Sequence, residues 1–185
     1  MAPRQRLIDF RQDATHANCS ASYYAPMVTP QDELEQVIER EPSNEELKSA
    51  ILLLVDDNLQ NVELMQAWLE SMECKLFTAH DGVEAIEAVG RCKPDLILLD
   101  VMMPRMSGFE VCRKIKQDSA LRDTVIIMVT ALNEVGDFER AVECGCDDFL
   151  TKPVNKLELI TRVRSLLRVR LLKRRVEALL KSPRL

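Results

Sequence analysis

Residues 94–108 read PDLILLDVMMPRMSG. Leu96 to Leu99 are apolar on consecutive positions. Unbroken rather than alternating apolar residues mark a strand covered on both faces, as in a parallel sheet flanked by crossover helices. Asp100 closes that strand with a carboxylate, and Pro104 delays the next helix until the chain has passed it. Further outward, apolar stretches at Ala50–Val55, Lys75–Ala79, Thr124–Val129 and Asp148–Leu150 alternate with helical patterns beginning near Asn58, Gly82, Gly108, Asn133 and Asn155.

Five strand–helix repeats, (βα)5, predict an α/β fold: a doubly wound, flavodoxin-like, five-stranded parallel sheet with strand order 2-1-3-4-5. Right-handed crossovers then gather the carboxyl ends of several strands around one crevice, where functional residues belong. Residues 48–168 are read as this domain. Residues 1–47 form an N-terminal extension, partly disordered, with a short helix opened by Thr29-Pro30-Gln31-Asp32 and a second capping pattern at Ser43 and Glu46. Residues 169–185 are expected to form a basic helical C-terminal extension that projects from the domain, because Val169, Leu172, Val176 and Leu179 continue an apolar stripe at heptad-like spacing.

Hydrophobic residues at 46% and charged residues at 30% exclude a disordered or membrane-embedded chain. No apolar run approaches the length of a membrane span, and the N-terminus carries neither a secretory nor an organellar signal pattern, so the cytoplasm is the expected location. The six cysteines are scattered and read as free thiols; the Cys144-Gly145-Cys146 spacing matches no familiar zinc site. A net charge of −5 conceals a segregation, since residues 154–185 carry ten Lys/Arg against two Glu. Without nearby aromatics or a helix-turn-helix, that basic stretch is a weak nucleic-acid signal, and a dimerising or partner-docking helix is the better reading.

Asp56 and Asp57 directly follow the strand ILLLV, just before Asn58 opens a helix. An acidic pair there serves equally well as a helix cap. Asp100 supplies a third carboxylate at a strand end, and three that converge repel one another unless a hard divalent cation such as Mg²⁺ neutralises them. A carboxylate beside Mg²⁺ is a competent nucleophile towards a phosphoryl donor. Thr130 ends the strand TVIIMV and offers a hydroxyl, while Lys152 follows the fifth strand and offers a cation for phosphoryl oxygens. Singly, a strand-end Thr or a Lys-Pro turn has an ordinary structural explanation; together they complete a phosphoryl-transfer site. The Lys152-Pro153 peptide is expected to be cis.

The segments LLVDDN, PDLILLDVMMPRMSGFEVCRKIK, IIMVTA and DDFLTKP, spread from about Ala50 to Leu167, resemble a response-regulator receiver domain of two-component phosphorelay signalling. The resemblance implies that Asp100 is the phosphoacceptor, that Asp56 and Asp57 with Asp100 and the backbone carbonyl of Met102 bind Mg²⁺, and that Thr130 and Lys152 contact the phosphoryl group. It further implies that Thr130 and Phe149 move on activation and that the face of helix 4, strand 5 and helix 5 of the repeat receives a downstream protein. A sensor histidine kinase or phosphotransfer protein is then the donor, and homodimerisation a possible output. Phe149 stands where a Tyr is frequent, so it reports the switch through packing alone. Met102 and Leu132, both apolar, are expected to hinder a hydrolytic water and to prolong the phosphoryl state. The stretch KPVNKLELITRVRSLLR is similar to receivers that precede cyclic-dinucleotide enzymes. Beyond its own phosphotransfer and autodephosphorylation, the chain is not expected to be an enzyme.

Overall fold

The computed structural model describes residues 42–131 and 135–181. The predicted Thr29 helix, Leu132 and Asn133 lie outside them. The chain enters through α1 (Asn44–Ser49), then runs β1 (Ile51–Val55), α2 (Leu59–Leu69), β2 (Lys75–Ala79), α3 (Gly82–Cys92), β3 (Leu96–Asp100), α4 (Gly108–Gln117), β4 (Val125–Thr130), α5 (Val135–Cys144), β5 (Asp148–Thr151) and α6 (Lys156–Lys181). All strand pairs are parallel, in the order β2-β1-β3-β4-β5. This is the expected doubly wound sheet, and β3 and β4 are buried at every position.

Each sheet face carries its own core. On one, Leu52, Leu54, Leu96, Leu98 and Ile127 pack under Met65 and Leu69 of α2 and Leu159, Val163 and Leu167 of α6. On the other, Leu53, Ile97, Leu99, Ile126 and Met128 pack under Ala85 and Val89 of α3, Val111 and Ile115 of α4 and Ala141 of α5. Alternate residues of one strand thus feed opposite cores, which is why strands buried on both sides lose the alternation of a half-exposed sheet. Local signals set the helix starts. Ser43 and Glu46 close a reciprocal capping box on α1, Ser107 and Glu110 another on α4, and Asp81 accepts from the backbone N–H groups of Val83 and Glu84 to cap α3.

The C-terminal helix corrects the expectation of a projecting extension. Leu171 is buried in the α2-side core. Beyond it, Arg174 Nη1 donates to both carboxylate oxygens of Asp95 at 2.9 and 3.1 Å, and Arg175 Nη2 to both of Glu46 at 2.7 and 2.6 Å. Lys173 pairs with Asp123. Asp95 is 3% exposed and also accepts from the Ile51 N–H at 3.1 Å, so this clasp sits at the amino end of the sheet and reaches into its ladder. Residues 170–175 are therefore packed on the body, and their cations are engaged by its acids.

The Arg175 hydrogen bonds and the Ser43 N–H hold the Glu46 carboxyl at about 2, against its ordinary 4.5. A carboxyl depressed on folding contributes stability that is complete above its unfolded value and is lost as pH falls through the folded one. The difference in thermal midpoint between wild type and Glu46→Gln is accordingly expected to be constant above pH about 4.5 and to close on acidification towards about 2. A difference indifferent to pH in that window would mean that the Glu46 charge does not hold α6.

Candidate functional site

Side chains from the ends of β1, β3 and β5 meet at the carboxyl end of the sheet. Asp56 follows β1 at once, and its carboxylate is fixed from three sides: the Asn58 N–H donates to Oδ1 at 2.9 Å, Asn61 Nδ2 to both oxygens at 3.1 Å, and Lys152 Nζ to Oδ2 at 2.8 Å. Asp56 is fully buried, whereas its neighbour Asp57 is exposed. Asp100, the last residue of β3, is 3% exposed and accepts from Lys152 Nζ at 2.9 Å through Oδ1. One ammonium thus bridges two carboxylates that come from different strands.

Lys152 owes its reach to the turn beneath it. Its backbone N–H donates to the Thr130 carbonyl at 2.7 Å, tying it to the end of β4, and the Lys152-Pro153 peptide is cis, as expected. Thr130 is itself buried, one residue beyond Val129, the register partner of Asp100. Phe149, in the middle of β5, is 39% exposed and lies opposite Met128. Met102 sits two residues past Asp100 with its side chain 63% exposed, lining a cleft of ≈ 410 Å³ with Val101, Ser107 and Phe109.

Burial pushes the Asp100 carboxyl above its ordinary value; the Lys152 ammonium opposes this, and the charges of Asp56 and Asp57 reinforce it. Burial pulls the Lys152 ammonium the other way, but hydrogen bonds to Asp56 and Asp100 outweigh it, so the group is held above its ordinary value and stays charged. Oxygen atoms of Asp56, Asp57 and Asp100 all lie within 4.8 Å of one another. Three hard oxygen donors at one mouth, one of them open to solvent, fit Mg²⁺, which accepts few protein carboxylates and keeps several waters.

Two further residues shape the site in roles that the sequence reading did not assign to them. Asn61, one turn into α2, orients the Asp56 carboxylate. Gly108 opens α4 directly against β3: a β-carbon there would stand 2.2 Å from the Asp100 carbonyl oxygen. The Gly108 N–H meanwhile donates to the Val101 carbonyl at 3.0 Å, so the loop returns to the strand it left. Arg105, in the left-handed region at φ 67°, reaches from that loop to Asp81, the cap of α3.

Residues 52–164 match the family model of the response regulator receiver domain. The chain belongs to that family. It is 47% identical over 123 residues to the response regulator PleD of Caulobacter vibrioides, a match that covers 66% of this chain and 27% of PleD. Over 117 residues it is 41% identical to the alkaline phosphatase synthesis transcriptional regulatory protein PhoP of Bacillus subtilis, covering 63% of this chain and 48% of PhoP. The receiver matched here is thus half or less of those relatives' length. Among solved structures, the signal receiver domain of a Syntrophus aciditrophicus signal transduction histidine kinase superposes with a TM-score of 0.61 at 35% identity, covering 64% of this chain and 90% of that one. The receiver domain of a LuxO repressor protein from Vibrio parahaemolyticus gives 0.65 at 30% identity, covering 73% and 99%. Phosphorylation and Mg²⁺ binding are typical of the family.

Replacing Gly108 by Ala is expected to destabilise the receiver by about 3 kcal/mol, since backbone must move to admit the methyl group. Urea unfolding at fixed pH measures this. An unchanged midpoint would show that α4 can shift from β3 at no cost.

Proposed function

We propose that this receiver is a phosphorylation-gated signalling switch: Asp100 takes a phosphoryl group from a sensor histidine kinase or phosphotransfer protein, and the altered domain acts by binding a protein partner or a second copy of itself. The observation that carries this is the convergence of Asp56, Asp57 and Asp100 with a single bridging Lys152. Lys152 engages Oδ1 of Asp100, which leaves Oδ2 to attack the phosphorus of the donor. The bond to the donor nitrogen breaks, and an acyl phosphate forms on Asp100. Asp56, Asp57, Asp100 and the Met102 carbonyl would hold Mg²⁺, which offsets the negative charge of the phosphoryl oxygens. Lys152 pairs with one of those oxygens and the Thr130 hydroxyl donates to another.

Thr130 and Phe149 are assigned as the switch pair because each belongs to an edge-side strand joined to the site, Thr130 through its own carbonyl bond to Lys152 and Phe149 through β5. The partner surface is the face of α5, β5 and α6, where Phe149 and Leu157 present apolar area beside the Arg162–Asp148 ion pair. A nucleic-acid partner is disfavoured by the engagement of Arg174, Arg175 and Lys173 with body acids. Among the described residues no helix is long and apolar enough to cross a membrane. The chain's own phosphotransfer and hydrolysis are the only chemistry assigned to it.

Incubation with acetyl phosphate and Mg²⁺ is expected to add one phosphoryl group by intact mass, with no addition without Mg²⁺ or in Asp100→Asn; light scattering in parallel reads any dimerisation. Full activity of Asp100→Asn in the native pathway would replace the switch by a scaffold role. Mg²⁺ alone should perturb the emission of Trp68, the single tryptophan, which shares a cavity of ≈ 170 Å³ with Asp56 and Lys152. That response should vanish in Asp57→Asn, a substitution at an exposed position. Met102→Gln is expected to shorten the phosphoryl lifetime severalfold by admitting water. An unaltered lifetime would remove Met102 from the account of hydrolysis.

A further inference from the structure

Beside the phosphoryl site, but apart from its carboxylates, lies the cleft of ≈ 410 Å³ that Met102 borders. Its apolar wall is the exposed Met102 side chain and the half-buried ring of Phe109. Its cationic wall is Arg113 of α4 and Arg140 of α5, both exposed, and among the described residues neither guanidinium makes a hydrogen bond or an ion pair. The carboxylate at the cleft, Glu110, is committed to the cap of α4: its Oε2 accepts from the Ser107 N–H at 2.9 Å and from the Ser107 hydroxyl at 2.8 Å. One turn further along, the two helices are tied together. Cys112 Sγ donates to the Cys144 carbonyl at 3.3 Å, and Lys116 Nζ donates to Asp147, just past α5, at 2.7 Å. The two arginines therefore line one preformed space from two fixed supports.

We propose that this cleft between α4 and α5 is a binding site for a purine nucleoside monophosphate. An apolar wall beside two unpaired guanidinium groups selects a ligand that is flat and apolar at one end and strongly anionic at the other. Two guanidinium forks exceed what one carboxylate needs, whereas a phosphate dianion has three terminal oxygens to share between them. At the other end, the Phe109 ring offers a face for offset stacking and the Met102 thioether a polarisable contact for an aromatic system. A base carried on a sugar phosphate joins both requirements in one molecule. The volume suits it as well, since pockets of roughly 300–1,000 Å³ take ligands of this size. The carboxylates at the sheet end are unsuited to the same anion without Mg²⁺: Asp56, Asp57 and Asp100 set three negative charges against the single Lys152 ammonium. The nucleotide site is thus separate from the phosphoryl site in chemistry as well as in place, and it does not depend on Asp100 accepting a phosphoryl group.

The test is isothermal titration calorimetry on the full, unphosphorylated chain in the presence of EDTA, so that neither Mg²⁺ nor phosphorylation takes part and the outcome is independent of the switch. AMP and GMP are the probes, with inorganic phosphate, adenosine and guanosine titrated beside them. At least one of the two nucleotides is expected to bind at a single site per chain with a dissociation constant below about 1 mM. Inorganic phosphate and the nucleosides are expected to bind at least ~10-fold more weakly, because each supplies only one end of the ligand. Arg113→Gln and Arg140→Gln, both at exposed positions, should each weaken the nucleotide about tenfold, as the loss of a charge-assisted hydrogen bond does, and leave the urea midpoint and phosphorylation by acetyl phosphate unchanged. Three results would each overturn the proposal. Failure of both nucleotides to bind within that limit removes the site, equal binding of inorganic phosphate reduces it to an unspecific anion contact, and an affinity indifferent to both arginine substitutions moves the nucleotide elsewhere.

Discussion

Two carboxylates almost wholly removed from water, Asp56 and Asp100, share one ammonium, that of Lys152. Burying ionised groups costs several kcal/mol apiece unless each is paired and hydrogen-bonded, so this arrangement is tolerable only where the geometry is held on all sides. The parallel sheet holds it. Register sets Val55 beside Leu99 and Asp100 beside Val129, which levels the ends of β1, β3 and β4 to within two residues. Lys152 belongs to the far edge, two strands from Asp100, and reaches it across the end of β4 because its own N–H is anchored on the Thr130 carbonyl. The topology that buries the core and the topology that assembles the charges are therefore the same.

The opposite end of the sheet solves a different problem with the same kind of interaction. Asp95 opens the approach to β3 as Asp100 closes it, and both are 3% exposed. At the amino end, however, the partners are guanidinium groups of α6, with Arg174 Nη1 donating to both Asp95 oxygens. This explains the charge segregation of the chain. The acidic body and the basic C-terminal segment neutralise one another within the molecule, through Arg174 with Asp95, Arg175 with Glu46 and Lys173 with Asp123. A basic run taken alone points outward to a polyanion; in the folded chain it points inward.

What the sequence made legible follows from range. The strands buried on both faces, β1, β3 and β4, are written in consecutive apolar residues, and all five strands appear within a residue or so of their expected bounds. The position of Asp100 was legible for the same reason, because a carboxylate that ends an apolar strand and precedes a proline-bearing loop is a local event. Asn61 was not, since nothing in α2 distinguishes an amide aimed at Asp56 from one aimed at water. Gly108 was hidden because its role is steric and refers to a carbonyl eight residues back. The continuation of α6 past residue 169 was legible, but not its packing through Arg175, for a related reason: heptad spacing records that a helix has an apolar stripe, not which surface covers it. Arg175 and Glu46 are 129 residues apart, and only the closed sheet brings them together.

β5 connects the site to the proposed partner face, and its length matters. It has four residues, Asp148 to Thr151, with Lys152 next. Phe149 is three positions from the lysine that bridges the carboxylates, while Asp148 at the other end is held by two bonds from Arg162 Nη1 of α6, at 2.9 and 2.8 Å. A strand so short, fixed at one end by a surface ion pair and at the other by the buried triad, has little slack with which to absorb a shift at either end. Under the proposed function, a phosphoryl group on Asp100 competes with Asp56 for the Lys152 ammonium. Any resulting movement of Lys152 must then be accommodated by β5 itself, and Phe149 is the large side chain on that strand with both a buried register partner, Met128, and exposed apolar area. The coupling needs no pathway of many residues. It needs one stiff strand whose two ends are already committed.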